Sequence, residues 1–217
     1  MALRAKGEKA GPLRYLVYLS DVKLQMFLDQ IGEPVRRSIA VELKLDLKLV
    51  SLTIASSAAD RSLRQRSRLA KLAVVEHYIQ QHQHVGDLTS RHGYLVAHVE
   101  MDWKPLDDNE TVLFCGYAGP LLVVLGGSIS HLWGRPPAAM QIGSHPYTIQ
   151  AAVLYGDKSR DLGRDLEAAA RAVYLTPQPV KFLARVISRG SILDGSPQSE
   201  YLLATPLYVE AVDAISV

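Results

Sequence analysis

The apolar pattern of the chain is densest between residues 111 and 134, where two apolar runs follow each other. They cover residues 111–117 and 121–125 and are joined at Ala118-Gly119-Pro120. A run without polar alternation is typical of a strand covered on both faces. A short Gly-Pro connection favours a tight turn between antiparallel strands. The sequence therefore predicts a buried hairpin in the middle of a sheet.

Further β-rich runs lie on both sides of this hairpin. Residues 14–19 (RYLVYL) and 93–103 (GYLVAHVEMDW) are compact runs of β-forming residues. Residues 39–54 (IAVELKLDLKLVSLTI) alternate between apolar and charged side chains, which predicts a long half-exposed strand. The last strands are expected at residues 200–204 and 207–212, as a pair or as one strand with a bend between them.

Apolar residues at helical spacing predict three helices. The first covers residues 22–31, with Ser20 or Asp21 as its N-cap, and the longest covers residues 61–82. The third covers residues 159–175, whereas the pattern of residues 180–188 (VKFLARVIS) suits either a helix or a strand.

Groups of adjacent strands separated by helices are typical of an α+β fold. The predicted architecture is an antiparallel or mixed central sheet with helices packed mainly on one face. We expect one globular domain over residues 14–217, preceded by a flexible basic tail over residues 1–13.

Composition narrows the classes of function. The 48% hydrophobic and 21% charged fractions are ordinary for a soluble protein, and a net charge of +2 disfavours nucleic-acid binding. Cys115 is the only cysteine, so the chain forms no internal disulfide, and a reducing, cytoplasmic location is expected. The apolar runs are shorter than the roughly 18 residues of a membrane helix, so no membrane association is predicted.

The longest predicted helix carries a row of cations, called here the basic ridge. Arg61, Arg64, Arg68 and Lys71 stand at positions i, i+3, i+7 and i+10 and so share one side of the helix. Cations near a helix N-terminus oppose its dipole. The ridge is either a solvated face or is compensated by acidic side chains of the fold, by a partner subunit or by an anionic ligand.

Three segments, at residues 15–31, 124–134 and 203–209, resemble an uncharacterised family of mainly actinobacterial proteins. The shared features are two tyrosines followed by Ser-Asp-x-Lys, a Gly-Gly-Ser…His centre and a Thr-Pro-Leu-Tyr-Val end. The resemblance implies a single cytosolic domain and an actinobacterial source, and it carries no activity. It marks a set of candidate ligand-binding positions: Ser20, Asp21, Lys23, Gly126, Gly127, Ser128, His131, Thr205 and Tyr208.

Gly126 and Gly127 follow the second apolar run and allow two interpretations. They either bend the strand toward His131 as a bulge or turn, or adopt positive φ and form an anion-binding nest of backbone N–H groups. If the first and central strands are neighbours, Lys23, the glycines with Ser128, and His131 would converge on one anionic ligand.

Catalytic and metal motifs are weak. Ser128 and His131 suggest a nucleophile and a base, with Asp21 or Asp102 as the orienting acid, but the sequence has no GxSxG elbow. Structural hydroxyls and a structural histidine explain the same residues. The sequence lacks CxxC and HExxH motifs, so we predict no catalytic residue, no metal site and no cofactor.

The function predicted from the sequence is a non-catalytic binding or sensory module. Its ligand would be a small anionic, nucleotide-like molecule or a partner protein. One alternative is a hydrolase that uses Ser128 and His131. Another is a structural subunit of a homo-oligomer, in which the basic ridge meets an acidic surface of a neighbouring subunit.

Overall fold

A closed ring of five strands forms the centre of the protein. The computed structural model describes residues 14–51, 61–106, 110–134, 149, 152–153, 162–192 and 200–212. Its strands are β1 (Tyr15–Leu19), β2 (Val85–Gly86), β3 (Tyr94–Pro105), β4 (Thr111–Ala118), β5 (Leu121–Ser128), β6 (Gln178–Ser191) and β7 (Glu200–Ala211). Strands β3, β4, β5, β7 and β6 pair in that order, and β6 pairs again with β3.

The sheet is mixed, because β5 and β7 run parallel while the other pairs of the ring are antiparallel. Strand β1 adds to β7, and β2 adds to β3, outside the ring. The predicted α+β class is confirmed. The expected simple sheet is corrected to a barrel, because pairing of β3 with β6 joins segments that are distant in sequence.

Helices cover the outer surface of the barrel in two groups. The helices are α1 (Asp21–Gln30), α2 (Glu33–Glu42), α3 (Leu47–Ser51), α4 (Arg61–His82) and α5 (Leu162–Val173). Helices α1 to α4 share an apolar cluster with Leu16 and Leu19 of β1, Leu183 of β6 and Leu207 of β7. Helix α5 packs in a second cluster, with Leu113 and Cys115 of β4 and with β5.

The apolar character of β4 and β5 follows from this arrangement. Val112 and Phe114 belong to the core inside the barrel. Leu113 and Cys115 alternate with them along β4 and lie under α5. Both faces of these strands are therefore buried, as the uninterrupted apolar runs predict. The expected hairpin at Gly119 is confirmed, and Gly119 adopts a φ of 60° in its turn.

The strand predicted at residues 39–54 is wrong. Residues up to Glu42 belong to α2, Lys44 turns the chain with a φ of 54°, and α3 begins at Leu47. Leucine, lysine and glutamate are good helix formers. Pro34 lies in the first turn of α2, where proline is tolerated. The alternation thus spans two short helices and their connection. Residues 52–54 lie outside the described part of the chain.

The remaining predicted elements fit the structure with small shifts. The helices predicted at residues 22–31, 61–82 and 159–175 correspond to α1, α4 and α5, and residues 180–188 belong to strand β6. Strand β7 is continuous through Thr205-Pro206, with a register shift opposite Leu183 and Ala184. The predicted tail at residues 1–13 lies outside the description. Among the described helices, none is long and apolar enough to cross a membrane.

Candidate functional site

Strands β1 and β5 approach each other end to end along one edge of β7. Strand β5 is parallel to β7 and stays paired with it as far as Leu125, opposite Ala204. Strand β1 is antiparallel to β7 and ends at Leu19, opposite Tyr208. The carboxyl ends of β1 and β5 therefore point toward the same place on β7, at Thr205-Pro206, and the gap between them opens into a cavity.

This cavity has a volume of about 430 Å³, within the usual range of small-molecule pockets. Its lining combines one lysine, one carboxylate, several hydroxyls and an apolar wall. The lining residues are Tyr18, Ser20, Val22, Lys23, Glu110, Thr111, Gly126, Gly127, Ser128, His131, Val153 and Thr205.

Seven of the nine positions marked in the sequence lie around this cavity: Ser20, Lys23, Gly126, Gly127, Ser128, His131 and Thr205. Asp21 and Tyr208 do not line it. Sequence reasoning missed Tyr18, Val22, Glu110, Thr111 and Val153. Only Tyr18 carried a signal, since it is one of the two tyrosines that precede Ser-Asp-x-Lys.

Lys23 is the cation of the cavity. It lies in the first turn of α1, where its backbone N–H donates to the hydroxyl of the N-cap Ser20. Its ammonium donates to Thr205 Oγ1 and to the carbonyl oxygen of Pro206, the latter at 2.8 Å. Burial lowers the pKa of Lys23 from 10.5 to about 8. An ammonium has three N–H donors, so one remains for another acceptor.

No carboxylate among the described residues forms an ion pair with Lys23. A half-buried cation with hydrogen bonds but without a counter-ion is desolvated at some cost in free energy. The side chain is therefore poised to gain from the arrival of a negative group.

Tyr18 lines the cavity and leaves no room for a side chain at the neighbouring Gly127. Its hydroxyl interacts with the side chain of Ser20 and the backbone of Ser128, and burial raises its pKa to about 12. A Cβ atom added to Gly127 would lie 2.4 Å from the Tyr18 hydroxyl oxygen. A Cβ added to Gly126 would lie equally near Val153, at 2.3 Å from its nearest methyl carbon. The glycines are thus needed for close approach of side chains.

Neither proposed backbone conformation of these glycines is present. Among the described residues, the glycines with positive φ are Gly93, Gly119 and Gly134. Gly126 and Gly127 instead continue β5 in register with Leu113 and Val112 of β4. The predicted nest is therefore not formed, and neither is a bulge or turn.

Ser128 and His131 do not form a nucleophile–base pair. The Ser128 hydroxyl hydrogen-bonds to the Ser130 hydroxyl at 2.9 Å and caps the short 3-10 turn Ile129–His131. The His131 ring packs edge-on against Tyr18, with ring centroids 5.9 Å apart. Burial lowers the pKa of His131, and the negative charge of Asp21 opposes this shift, so burial disfavours the charged imidazolium. Asp102 instead caps the segment after α5 by accepting backbone N–H groups.

The basic ridge turns inward at its C-terminal half. Arg68 forms an ion pair with Asp21 of α1, and its guanidinium lies 5.9 Å from the ring centroid of Trp133. Lys71 is 3% exposed; burial lowers its pKa, and Asp21 opposes this shift. Arg64 is exposed, and the side chain of Arg61 lies outside the description. Acidic residues of the fold thus provide part of the expected compensation.

Tyr208 lies away from the cavity, in a cluster that joins β1, β7 and α4. The Arg14 guanidinium lies 4.8 Å from its ring centroid and forms ion pairs with Glu76 and Glu210. Burial raises the pKa of Tyr208, and the negative charge of Glu76 adds to the shift.

Within the described parts of the chain, no three His, Cys, Asp or Glu side chains are grouped as metal ligands.

Comparison with known proteins identifies the family. No curated protein and no solved structure shows significant similarity to the chain. A family model described as "Family of unknown function (DUF7019)" matches residues 14–213, a range that contains all the described residues lining the cavity. The expectation of an uncharacterised family is thus confirmed, and the chain belongs to the DUF7019 family.

Proposed function

We propose that the protein is a binding module for a small anion, which it holds in the cavity between the ends of β1 and β5. The observation that carries the proposal is Lys23. It lines the cavity, burial lowers its pKa, and it has no ion-pair partner among the described residues. An anionic ligand would supply the missing counter-ion and accept its remaining N–H.

Neutral polar side chains line the same cavity as Lys23. The hydroxyls of Ser20, Ser128 and Thr205 line the cavity with the ring of His131, and hydroxyls donate to anions as readily as they accept. These groups would orient the anion that Lys23 attracts.

The two alternatives have less support. A hydrolase would need Ser128 in contact with a base, yet its hydroxyl bonds to Ser130. A subunit that assembles through the basic ridge would need those cations on the surface, yet Arg68 is paired with Asp21 and Lys71 is buried.

We also propose a cytoplasmic location, since Cys115 is a free thiol within the core.

A thermal-shift series tests the proposal. The purified protein would be heated with sodium salts of phosphate, acetate, octanoate and a nucleotide, each over a range of concentrations at constant ionic strength. An anion at 100 times its Kd stabilises the folded state by about 2.7 kcal/mol, which raises Tm by several degrees. We expect at least one of the salts to give a saturable shift.

The matched variants are Lys23→Met and Lys104→Met. Lys104 is a second half-buried lysine that donates to a backbone carbonyl, that of Ala172 at 3.0 Å, but it lies outside the cavity. We expect Lys23→Met to lose the anion-dependent shift and Lys104→Met to retain it. Equal shifts in both variants, with circular dichroism showing that both are folded, would refute the proposal.

A further inference from the structure

We propose that the preferred ligand of this cavity is a carboxylate with an apolar body, rather than a phosphate ester. This inference rests on the proposed anion-binding function and specifies its ligand class. Two features of the cavity lead to it: the amount of positive charge and the apolar surface that continues from the cavity along α1.

The positive charge of the cavity suits a single negative charge. Lys23 is the only Lys or Arg among the described lining residues. Arg68 lies nearby but is already paired with Asp21. Phosphate sites usually combine several cations or an array of backbone N–H groups, and the nest that could have provided one is not formed at Gly126 and Gly127.

A carboxylate ligand matches the single lysine among the described lining residues. A carboxylate ligand carries one charge and can accept hydrogen bonds from Lys23 and from hydroxyls such as that of Thr205 at the same time. A single lysine therefore suits a monoanion better than a dianion.

Part of the wall and of the mouth of the cavity is apolar. Val153 and the ring of Tyr18 lie against the two glycines of β5. Val22 lines the mouth and is 69% exposed, and Met26, 48% exposed, follows one turn later on the same side of α1. Exposed apolar side chains that continue from a binding cavity are typical of a ligand contact surface.

These features suggest one orientation. The carboxylate would lie at Lys23, and the apolar body would leave the cavity over Val22 toward Met26. Each methylene that becomes buried along this path should tighten binding about fourfold. A longer carboxylate should therefore bind more tightly than acetate until the chain passes the exposed side chains.

Isothermal titration calorimetry with four probes separates the contributions of charge and chain. The probes are sodium acetate, sodium octanoate, octyl phosphate and octanol, all below their aggregation concentrations. We expect octanoate to bind at least about 100-fold more tightly than acetate. Octyl phosphate and octanol should each bind at least about tenfold more weakly than octanoate, because one adds charge and the other removes it.

Exposed valines provide the variant and its control. Val22→Ser removes apolar surface at the mouth, whereas Val41→Ser makes the same change on α2, where Val41 is 65% exposed. Because both side chains are exposed, both variants should fold. We expect Val22→Ser to weaken octanoate about five- to tenfold and leave acetate unchanged, and Val41→Ser to change neither.

Four results would overturn the inference. Tighter binding of octyl phosphate than of octanoate, still dependent on Lys23, would refute the carboxylate preference and leave anion binding standing. Equal affinities for acetate and octanoate would refute the apolar part. Binding of octanol as tight as that of octanoate, or binding of none of the probes together with no thermal shift from any salt, would refute the proposed function as well.

Discussion

Replacing Lys23 with methionine should change how stability depends on pH. Burial lowers the pKa of the Lys23 ammonium from 10.5 to about 8. A shift of this size corresponds to about 3 kcal/mol, and the solvent contact of a half-buried side chain reduces it to about 1–2 kcal/mol. Below pH 8 the folded wild type bears this cost, and the methionine variant does not.

The sign follows from proton binding. Between about pH 8 and 10.5 the folded wild type releases the Lys23 proton, while the unfolded chain still holds it. The unfolded state then binds more protons, so the free energy of unfolding of the wild type rises with pH through this window. The variant lacks this increase. Tyrosines such as Tyr18 titrate in both proteins, so their contribution cancels in the difference between the two.

Urea denaturation of both proteins, at intervals from about pH 7 to pH 10, measures this difference. The hydrogen bonds lost at Thr205 and Pro206 lower the stability of the variant by about 1 kcal/mol each at every pH below the transition. The change with pH therefore tests the reasoning better than the value at one pH. We expect wild type minus variant to rise by about 1–2 kcal/mol, and a difference that stays constant or falls would refute the desolvation of Lys23.

Three further predictions concern the surroundings of the cavity. Gly127→Ala places a methyl group against the buried Tyr18 hydroxyl, so urea denaturation should show a loss of about 1–3 kcal/mol; an unchanged midpoint would contradict the close approach. Arg68→Met leaves the Asp21 carboxylate without its partner and should cost about 1–2 kcal/mol in the same assay, whereas an increase in stability would contradict the pairing. Burial raises the pKa of Cys115, so Ellman's reagent should label it only in urea; rapid labelling of the folded protein would show that the thiol is accessible.

The local elements could be predicted where one physical requirement dominates the pattern. The apolar residues of β4 and β5 are buried on both faces, and Ser20 caps α1 with its hydroxyl. The alternation of apolar and charged residues at 39–54 led to a wrong strand prediction. The same residue types are good helix formers, so the alternation does not exclude helices. Val41 and Leu47 are exposed there, which the assumption of a single buried strand face could not accommodate.

Barrel closure could not be predicted from local patterns. It depends on β3 pairing with β6, and on β5 pairing with β7, between segments that are far apart in sequence. The same pairing brings the ends of β1 and β5 to Thr205. The sequence could predict convergence of Lys23 and Ser128 only on the condition that the first and central strands are neighbours. In the structure both residues line the same cavity.

The cavity residues that sequence reasoning missed are mostly of ordinary type. Glu110 precedes strand β4, and Thr111 is its first residue. In the sequence, Val22 is one of several exposed positions of helix α1. Their role depends on which strand ends meet. Conversely, Tyr208 was marked by its segment but packs with Arg14 and Glu76, because it lies beside β1, opposite Leu19, rather than at the gap between the strand ends.

The most direct test of the account is an NMR titration of Lys23 with lysine labelled at the side chain, and with Lys23→Met to assign its signal. We predict that the Lys23 signal titrates near pH 8 in the protein alone and at a higher pH when octanoate is present, because a bound anion stabilises the ammonium. A Lys23 signal that titrates near 10.5, or one that octanoate and the other anions leave unchanged, would contradict the account.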